Sequence, residues 1–283
     1  RYCETHYKYE YDNFDLELGS VNLEGDNDPS LPSPGPGSTP PPLTPEDKKP
    51  ETRTDCDNSG ADKRSNNAKI IINAVSTNYN NLKGYTSKTN EYSARIDWNG
   101  NNYIMSSPVP GSSNSASSSI FTNTMYDMHT HTLDSEPPTP KDYSNLLELN
   151  KYYYSKQNTQ SYNLQGAIII NNNTEYLISI VDREKAYNFS NNSNSNMFEE
   201  PISGGNIFKN STIDEEFTLI SKNLYNQGYI DEQTNYTYAM SYLLDKYNTG
   251  LTISSKKRTE SSFKEVKTKY NQADKSYKPT ICP

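Results

Sequence analysis

The chain has 283 residues, enough for one large domain or two small ones with a real hydrophobic core. Its net charge of -8 argues against nucleic acid as a partner, because phosphate contacts need clustered lysine and arginine. The longest apolar run, at residues 167–170, has the length of a strand, so the sequence predicts no membrane-spanning helix. The abundance of Asn, Lys, Tyr and Ser is typical of a bacterial protein from an AT-rich genome.

The N-terminal part divides into two segments of different composition. Residues 1–24 alternate in polarity and are rich in aromatic residues, which predicts a β segment that belongs to an upstream domain. Residues 25–55 contain nine prolines between Pro29 and Pro50, a composition that prevents packing and favours extended polyproline II. We interpret this segment as a semi-rigid linker to a larger upstream protein. A proline-recognition motif is the alternative, but no basic residue closely flanks the three consecutive prolines.

The central part of the chain predicts alternating helices and strands, with the histidines at the end of a strand. A Ser-rich loop at 106–119 is expected to lie near the functional site. The predicted elements are a helix at 66–83, strands at 91–98 and 102–105 joined by the turn Asn99-Gly100, a strand at 120–132, a helix at 139–155, and strands at 166–170 and 176–181.

After residue 200 the sequence predicts helices at 212–226 and 232–247 and a short strand at 251–254, while the last thirty residues are charged and weakly patterned. The expected fold class is therefore α/β, a mixed β-sheet flanked by helices with a helical C-terminal extension. We assign the core to residues 56–200 and the extension, packed on that core, to 201–283.

The strongest signal for function is a pair of histidines one residue apart. His129 and His131 lie on an extended segment and so point their rings to the same side. The chain holds only three histidines, and Asp142 follows in the first turn of a predicted helix. Two imidazoles and one carboxylate make three protein ligands, which is the number found in catalytic zinc sites, where a fourth position stays open for water. The alternative is two exposed strand residues, with Thr139 and Asp142 explained by helix capping alone.

The spacing His129-x-His131, seven residues, Thr139-x-x-Asp142 resembles the H-x-H-x(7)-S-x-x-D signature of the JAB/MPN (JAMM) zinc metallopeptidases. That family also carries an upstream glutamate, and Glu91 stands at the matching place. The order of elements over residues 66–182 is similar to the family's deaminase-like core. The resemblance implies that the two histidines and Asp142 bind zinc, that Glu91 activates a water, and that Thr139 assists the oxyanion.

The resemblance has two departures and one competitor. Thr132 stands where the family usually has proline, and Thr139 replaces the usual serine. The segment from Asp127 to Thr132 also resembles PHP phosphoesterases and amidohydrolases, but those barrels need further histidines, and none follows His131. Nucleophilic catalysis by cysteine is set aside, because the three cysteines lie near the chain ends.

The sequence thus predicts a JAMM-like zinc metallopeptidase of the bacterial branch that hydrolyses a peptide or isopeptide bond in a peptide or protein substrate. The alternative is a non-catalytic structural or binding module with the same fold. A third reading makes the domain a toxin or effector tip on a larger secreted scaffold, since a proline tether suits delivery.

Two of the three cysteines bracket the proposed domain. Cys56 follows the linker and Cys282 is the penultimate residue, and the termini of domains often lie close together. We predict a disulfide between them, and hence an exported protein in an oxidising compartment. The alternative is two free thiols in a reducing cytoplasm.

Overall fold

A computed structural model describes residues 56, 58–113, 116–132, 136–156, 162–191, 198 and 207–282. The β segment predicted at 1–24 and the proline-rich linker predicted at 25–55 lie outside the described residues. In the part that is described, no helix is both long enough and apolar enough to cross a membrane.

Six α-helices, one 3-10 helix at Tyr85–Ser87 and nine strands follow one another in the described part of the chain. The helices are α1 Asn58–Ala74, α2 Ser76–Gly84, α3 Pro140–Tyr154, α4 Arg183–Phe189, α5 Ser211–Asn226 and α6 Glu232–Lys246. The strands are β1 Tyr92–Trp98, β2 Tyr103–Met105, β3 Val109–Pro110, β4 Thr124–Thr130, β5 Gly166–Ile170, β6 Thr174–Ile180, β7 Leu251–Lys257, β8 Lys264–Asn271 and β9 Ser276–Ile281.

All nine of these strands belong to one mixed sheet. Eight of them run in the order β2-β1-β4-β5-β6-β7-β8-β9, and β3 also pairs with β1. The pair β4–β5 is parallel and every other pair is antiparallel. The expected class, an α/β fold with a mixed sheet flanked by helices, is confirmed.

Helices cover both faces of the sheet and form two cores. Because side chains alternate along a strand, β5 sends Ile168 and Ile170 into a core with α1 and α2, and Ile169 into a core with α3 to α6. The run Gly-Ala-Ile-Ile-Ile of β5 is buried at every position, as expected of a central strand with a parallel neighbour. β4 is also buried throughout, although it carries Asp127 and His129.

The structure corrects two of the predictions. The helix predicted at 66–83 begins earlier and is two helices, α1 and α2, interrupted at Val75. Within its described residues, 207–282, the C-terminal extension is α-helical only in α5 and α6, because β7, β8 and β9 between Leu251 and Ile281 continue the sheet. The lysines of β8 obscure its alternating polarity in the sequence. Val266 and Thr268, two residues apart, are both buried next to α6.

Two buried carboxylates fasten the first two helices to the sheet. Glu175 of β6 is fully buried and accepts a hydrogen bond from the Tyr79 hydroxyl of α2 at 2.7 Å. Burial alone would raise the pKa of Glu175, but hydrogen bonds from Lys256 and Lys83 outweigh it and lower the pKa. Glu265 of β8 accepts from Arg64 of α1 at 2.6 Å. These contacts join α1 and α2 to the sheet through buried polar groups as well as through apolar packing.

The disulfide predicted from the sequence is present. Cys56 and Cys282 are bonded across 226 positions of sequence, with their Cα atoms 5.7 Å apart. Cys282 is buried, and its backbone N–H donates to the Glu265 carbonyl at 2.8 Å. The bridge therefore ties the segment before α1 to the end of β9.

We expect removal of this bridge to destabilise the domain without changing its fold. The double variant Cys56→Ser/Cys282→Ser should lose up to about 5 kcal/mol of unfolding free energy, because the unfolded chain regains the entropy of a very long loop. Denaturant unfolding measures this loss, and Cys3→Ser controls for the change of a cysteine outside the bridge. The bridge is absent if both thiols in the wild type are alkylated without reductant.

Candidate metal centre

The candidate metal centre begins at the end of the central strand β4. β4 lies between β1 and β5, and His129 stands opposite Ser93 on one side and Ile169 on the other. His131 follows the strand, yet its N–H still donates to the Ile170 carbonyl at 2.9 Å, so the extended backbone continues past β4. The two rings therefore lie on the same side, with 3.1 Å between their Nε2 atoms.

The N-terminus of α3 supplies the third side chain. Thr139 is the N-cap and Pro140 the first helical residue, so Asp142 lies in the first turn of the helix. Asp142 Oδ2 accepts a hydrogen bond from the Thr139 N–H at 2.6 Å. Its Oδ1 is 3.1 Å from His129 Nε2, and its Oδ2 is 3.6 Å from His131 Nε2. The capping role and the proximity to the histidines thus coexist in one carboxylate.

These three residues lie close enough together to hold one metal ion. Ligand atoms that bind zinc at about 2.0–2.2 Å in a tetrahedron lie roughly 3.3–3.6 Å apart. The 3.1 Å between the two Nε2 atoms and the 3.1 Å from His129 Nε2 to Asp142 Oδ1 are close to that edge length, and His131 Nε2 lies 3.6 Å from the other oxygen, Oδ2. His129, His131 and Asp142 are 1 %, 2 % and 3 % exposed. In the part of the chain that the structure describes, these three form the one group of three or more His, Cys, Asp or Glu side chains whose ligand atoms all lie within 4.8 Å of one another.

The electrostatics of the cluster favour a positive charge. Burial would lower the pKa of His129, but the neighbouring Asp142 carboxylate and then Glu91 and Asp127 raise it to about 9. Burial lowers the pKa of His131 to about 4, against the attraction of Asp142. Burial raises the pKa of Asp142, but His129 more than offsets this and the pKa is lowered. A divalent cation would replace the His129 proton, so metal binding releases a proton.

A backbone carbonyl fixes the orientation of one imidazole. His131 Nδ1 lies 3.3 Å from the Glu136 carbonyl oxygen. Because a carbonyl can only accept, Nδ1 carries the proton, and the lone pair of neutral His131 is on Nε2. This places the ligand atom on the side of Asp142. Metal-binding histidines commonly donate their other ring N–H to a carbonyl or carboxylate in this way.

Glu91 lies beside the cluster but is not one of its three ligands. It comes directly before β1 and is 2 % exposed. Its N–H donates to the Ser112 carbonyl and its own carbonyl accepts from the Gly111 N–H, both at 2.8 Å. Since Ser93 pairs with His129, the position of Glu91, two residues earlier, falls on the same side of the sheet. Its carboxylate is close enough to raise the pKa of His129.

The two threonines that depart from the JAMM pattern have different surroundings. The Thr139 hydroxyl oxygen is buried, faces the Asp142 N–H in the capping box that begins α3, and has no acceptor for its own hydrogen among the described residues. The Thr132 hydroxyl donates to the Ser113 carbonyl at 3.4 Å, which brings the end of the histidine segment against the Ser-rich loop. The expectation that this loop lies near the site is therefore supported at Ser113.

Asp127 is a neighbour of the site that the sequence analysis did not single out. It is 6 % exposed, and its Oδ1 accepts from the Ser118 hydroxyl at 3.0 Å and the Met128 N–H at 2.9 Å. Burial raises its pKa to about 6. The sequence contained a signal for this placement, because Asp127, His129 and His131 are spaced two residues apart on an extended segment and so lie on the same face.

Comparison of the chain with protein-family models, curated proteins and solved structures finds no match.

We expect each purified chain to bind one zinc ion through these three residues. Asp142→Ala and His129→Ala should both lose the metal, because two ligands hold zinc much more weakly than three. Asp231 is a matched control, since its carboxylate also caps a helix, accepting from the Thr234 N–H at 2.8 Å. Asp231→Ala should lose about 1 kcal/mol of stability from the cap and keep its zinc, whereas Asp142→Ala also removes the buried partner of His129 and should lose more stability together with the zinc.

Metal analysis after dialysis measures this difference. Equal zinc content in the wild type, Asp142→Ala and His129→Ala would contradict the site.

Proposed function

We propose that this chain is a zinc-dependent hydrolase that cleaves a peptide or isopeptide amide bond. The observation that supports the proposal is the close, buried grouping of His129, His131 and Asp142, which offers three protein ligands. Structural zinc sites are almost always closed by four protein ligands, whereas catalytic sites have three and an open position. A zinc ion bound there would supply a Lewis acid that polarises the scissile carbonyl and lowers the pKa of a water towards ~7.

Glu91 is the proposed general base. Its carboxylate is buried beside His129 and stands outside the group of three ligands. It takes a proton from the attacking water and passes it to the leaving amine. The carbon–nitrogen bond breaks, and the products are a carboxylate and an amine.

Thr139 is the proposed donor to the oxyanion. Its hydroxyl oxygen is buried in the capping box at the N-terminus of α3, and its own hydrogen has no acceptor among the described residues. A buried hydroxyl of this kind is able to donate to a charge that develops only in the transition state. The backbone N–H of Thr139 is already used, because it donates to Asp142.

The similarity to JAMM metallopeptidases supports amide bonds as the substrate class. The resemblance rests on His129-x-His131, Thr139-x-x-Asp142 and Glu91, and on the order of elements that the sequence predicts over residues 66–182. The disulfide between Cys56 and Cys282 supports an exported location, because disulfides are rare in reducing compartments. An attachment to a larger upstream protein is part of the same proposal.

A non-catalytic binding module is the second candidate. It is favoured by the burial of all three ligands and of Glu91, which leaves at most 3 % of each residue exposed. The two departures at Thr132 and Thr139 point the same way. This candidate predicts the same zinc content, so a metal assay does not separate it from the hydrolase.

The Glu91→Gln variant separates these two candidates. The change is isosteric and removes the base without removing a ligand, so zinc should stay bound while hydrolysis falls by about 10²–10⁴-fold. The assay follows amine release from a mixture of peptides and lysine isopeptides, with Glu260→Gln at a solvent-accessible position as the control.

Wild-type rates in Glu91→Gln would remove Glu91 from the mechanism, and loss of zinc would make it a ligand. If the zinc-loaded wild type releases no amine from any substrate, the binding module is the better description.

A further inference from the structure

A chain of hydrogen bonds continues from the ring of His131 into the turn between β5 and β6. The Glu136 carbonyl, which accepts from His131 Nδ1, also accepts from the side-chain amide of Asn171 at 3.0 Å. Asn171 is fully buried and directly follows β5. The carbonyl that sets the tautomer of a proposed ligand is therefore itself held by a buried side chain.

The surroundings of Asn171 determine which way its amide points. Its Oδ1 accepts from the backbone N–H groups of Asn173 at 3.0 Å and Thr174 at 2.7 Å. Because only the oxygen of the amide can accept, the NH₂ group must face the opposite way, towards Glu136. One half of the side chain thus closes the β5–β6 turn, and the other half reaches the metal centre.

The same turn is anchored to the C-terminal part of the fold. The Thr174 hydroxyl donates to Gln233 Oε1 of α6 at 2.7 Å, and the Tyr176 hydroxyl donates to the same oxygen at 3.1 Å. The adjacent residue Ile170 accepts the backbone N–H of His131. The end of β5 therefore holds both the backbone of His131 and, through Asn171 and Glu136, its ring.

This arrangement has a consequence for the imidazole. A carbonyl that was free to rotate away would leave neutral His131 with two accessible tautomers, and only the one with the proton on Nδ1 presents Nε2 to a metal. The Glu136 carbonyl lies in an irregular segment between β4 and α3, next to residues 133–135, which are outside the described residues. The hydrogen bond from the Asn171 side-chain amide to the Glu136 carbonyl attaches this segment to the end of β5.

We infer that Asn171 is a positioning residue for the metal centre, which acts by holding the Glu136 carbonyl that selects the Nδ1–H tautomer of His131. The inference rests on the proposed zinc site, since the tautomer matters only where Nε2 binds a metal. Its structural part, the choice of tautomer, does not require the metal and is measured in zinc-free protein.

The test uses two variants of Asn171 that keep the turn and remove the donor. In Asn171→Asp the carboxylate still accepts from Asn173 and Thr174, and in Asn171→Ser a shorter oxygen does so without a charge. Asn150 is the matched control, because it is equally buried and donates to the Arg183 carbonyl at the same 3.0 Å. The controls are Asn150→Asp and Asn150→Ser, and thermal melting establishes that each variant is folded.

The measurement is the ¹⁵N shift pattern of the His131 ring in zinc-free protein at neutral pH, assigned by its loss in His131→Ala. We expect the wild type and both Asn150 variants to show the Nδ1–H tautomer, and the Asn171 variants to show a mixture of the two. Zinc titration against a competing chelator should then give a Kd raised by about tenfold or more in the Asn171 variants alone, the usual cost of removing an outer-shell partner.

Because His129 Nε2 lies 3.1 Å from His131 Nε2 and would itself favour the Nδ1–H tautomer, the tautomer comparison is made with His129→Ala in every chain, and the zinc titrations keep His129. A pure Nδ1–H tautomer in both Asn171 variants of that background would overturn the inference, because the Glu136 carbonyl would then be held without Asn171. If the wild type binds no zinc, the proposed function fails, but the tautomer comparison still decides the role of Asn171.

Discussion

The structure depends on one costly arrangement, two imidazoles and a carboxylate buried within 3.1–3.6 Å of one another. Groups of this kind lose their hydration on burial and are stable only when charge and hydrogen bonds compensate. Here the compensation comes from the Asp142 carboxylate, which raises the pKa of His129, and from the Glu136 carbonyl, which accepts from His131. A divalent cation bound by the same three atoms would compensate for burial more completely. The three side chains are thus close enough to bind a metal ion, and a bound cation would offset the cost of their burial.

The rest of the fold brings the end of β4 and the start of α3 together and keeps them there. β4 and β5 are the parallel pair at the middle of the sheet, and both are buried on their two faces. The strands β7, β8 and β9 extend that sheet. The helix α6 packs in the same core as α3, so the C-terminal part shares that core. Through Gln233 it also reaches the turn that carries Asn171. The disulfide between Cys56 and Cys282 joins the segment before α1 to the end of β9, the last strand of the sheet.

Local chemistry explains which features were predictable from the sequence. The same-side placement of His129 and His131 follows from strand periodicity, and the start of α3 follows from the cap at Thr139 and Pro140. The distance between Asp142 and the histidines depends on how α3 packs on the sheet, so the sequence supported it only through a resemblance. The strands β8 and β9 escaped prediction because three lysines interrupt the alternation of β8, and because β9, the strand at the edge of the sheet, contains a lysine and a proline. The role of Asn171 depends on a contact across 35 residues, which no local pattern encodes.

X-ray absorption at the zinc edge of the loaded protein tests the central claim most directly, because it reports the atoms bound to the metal. The account predicts a first shell of nitrogen and oxygen at about 2.0–2.2 Å, with the multiple scattering of two imidazoles and no sulfur. A shell that contains sulfur, or that shows fewer than two imidazoles, would contradict it.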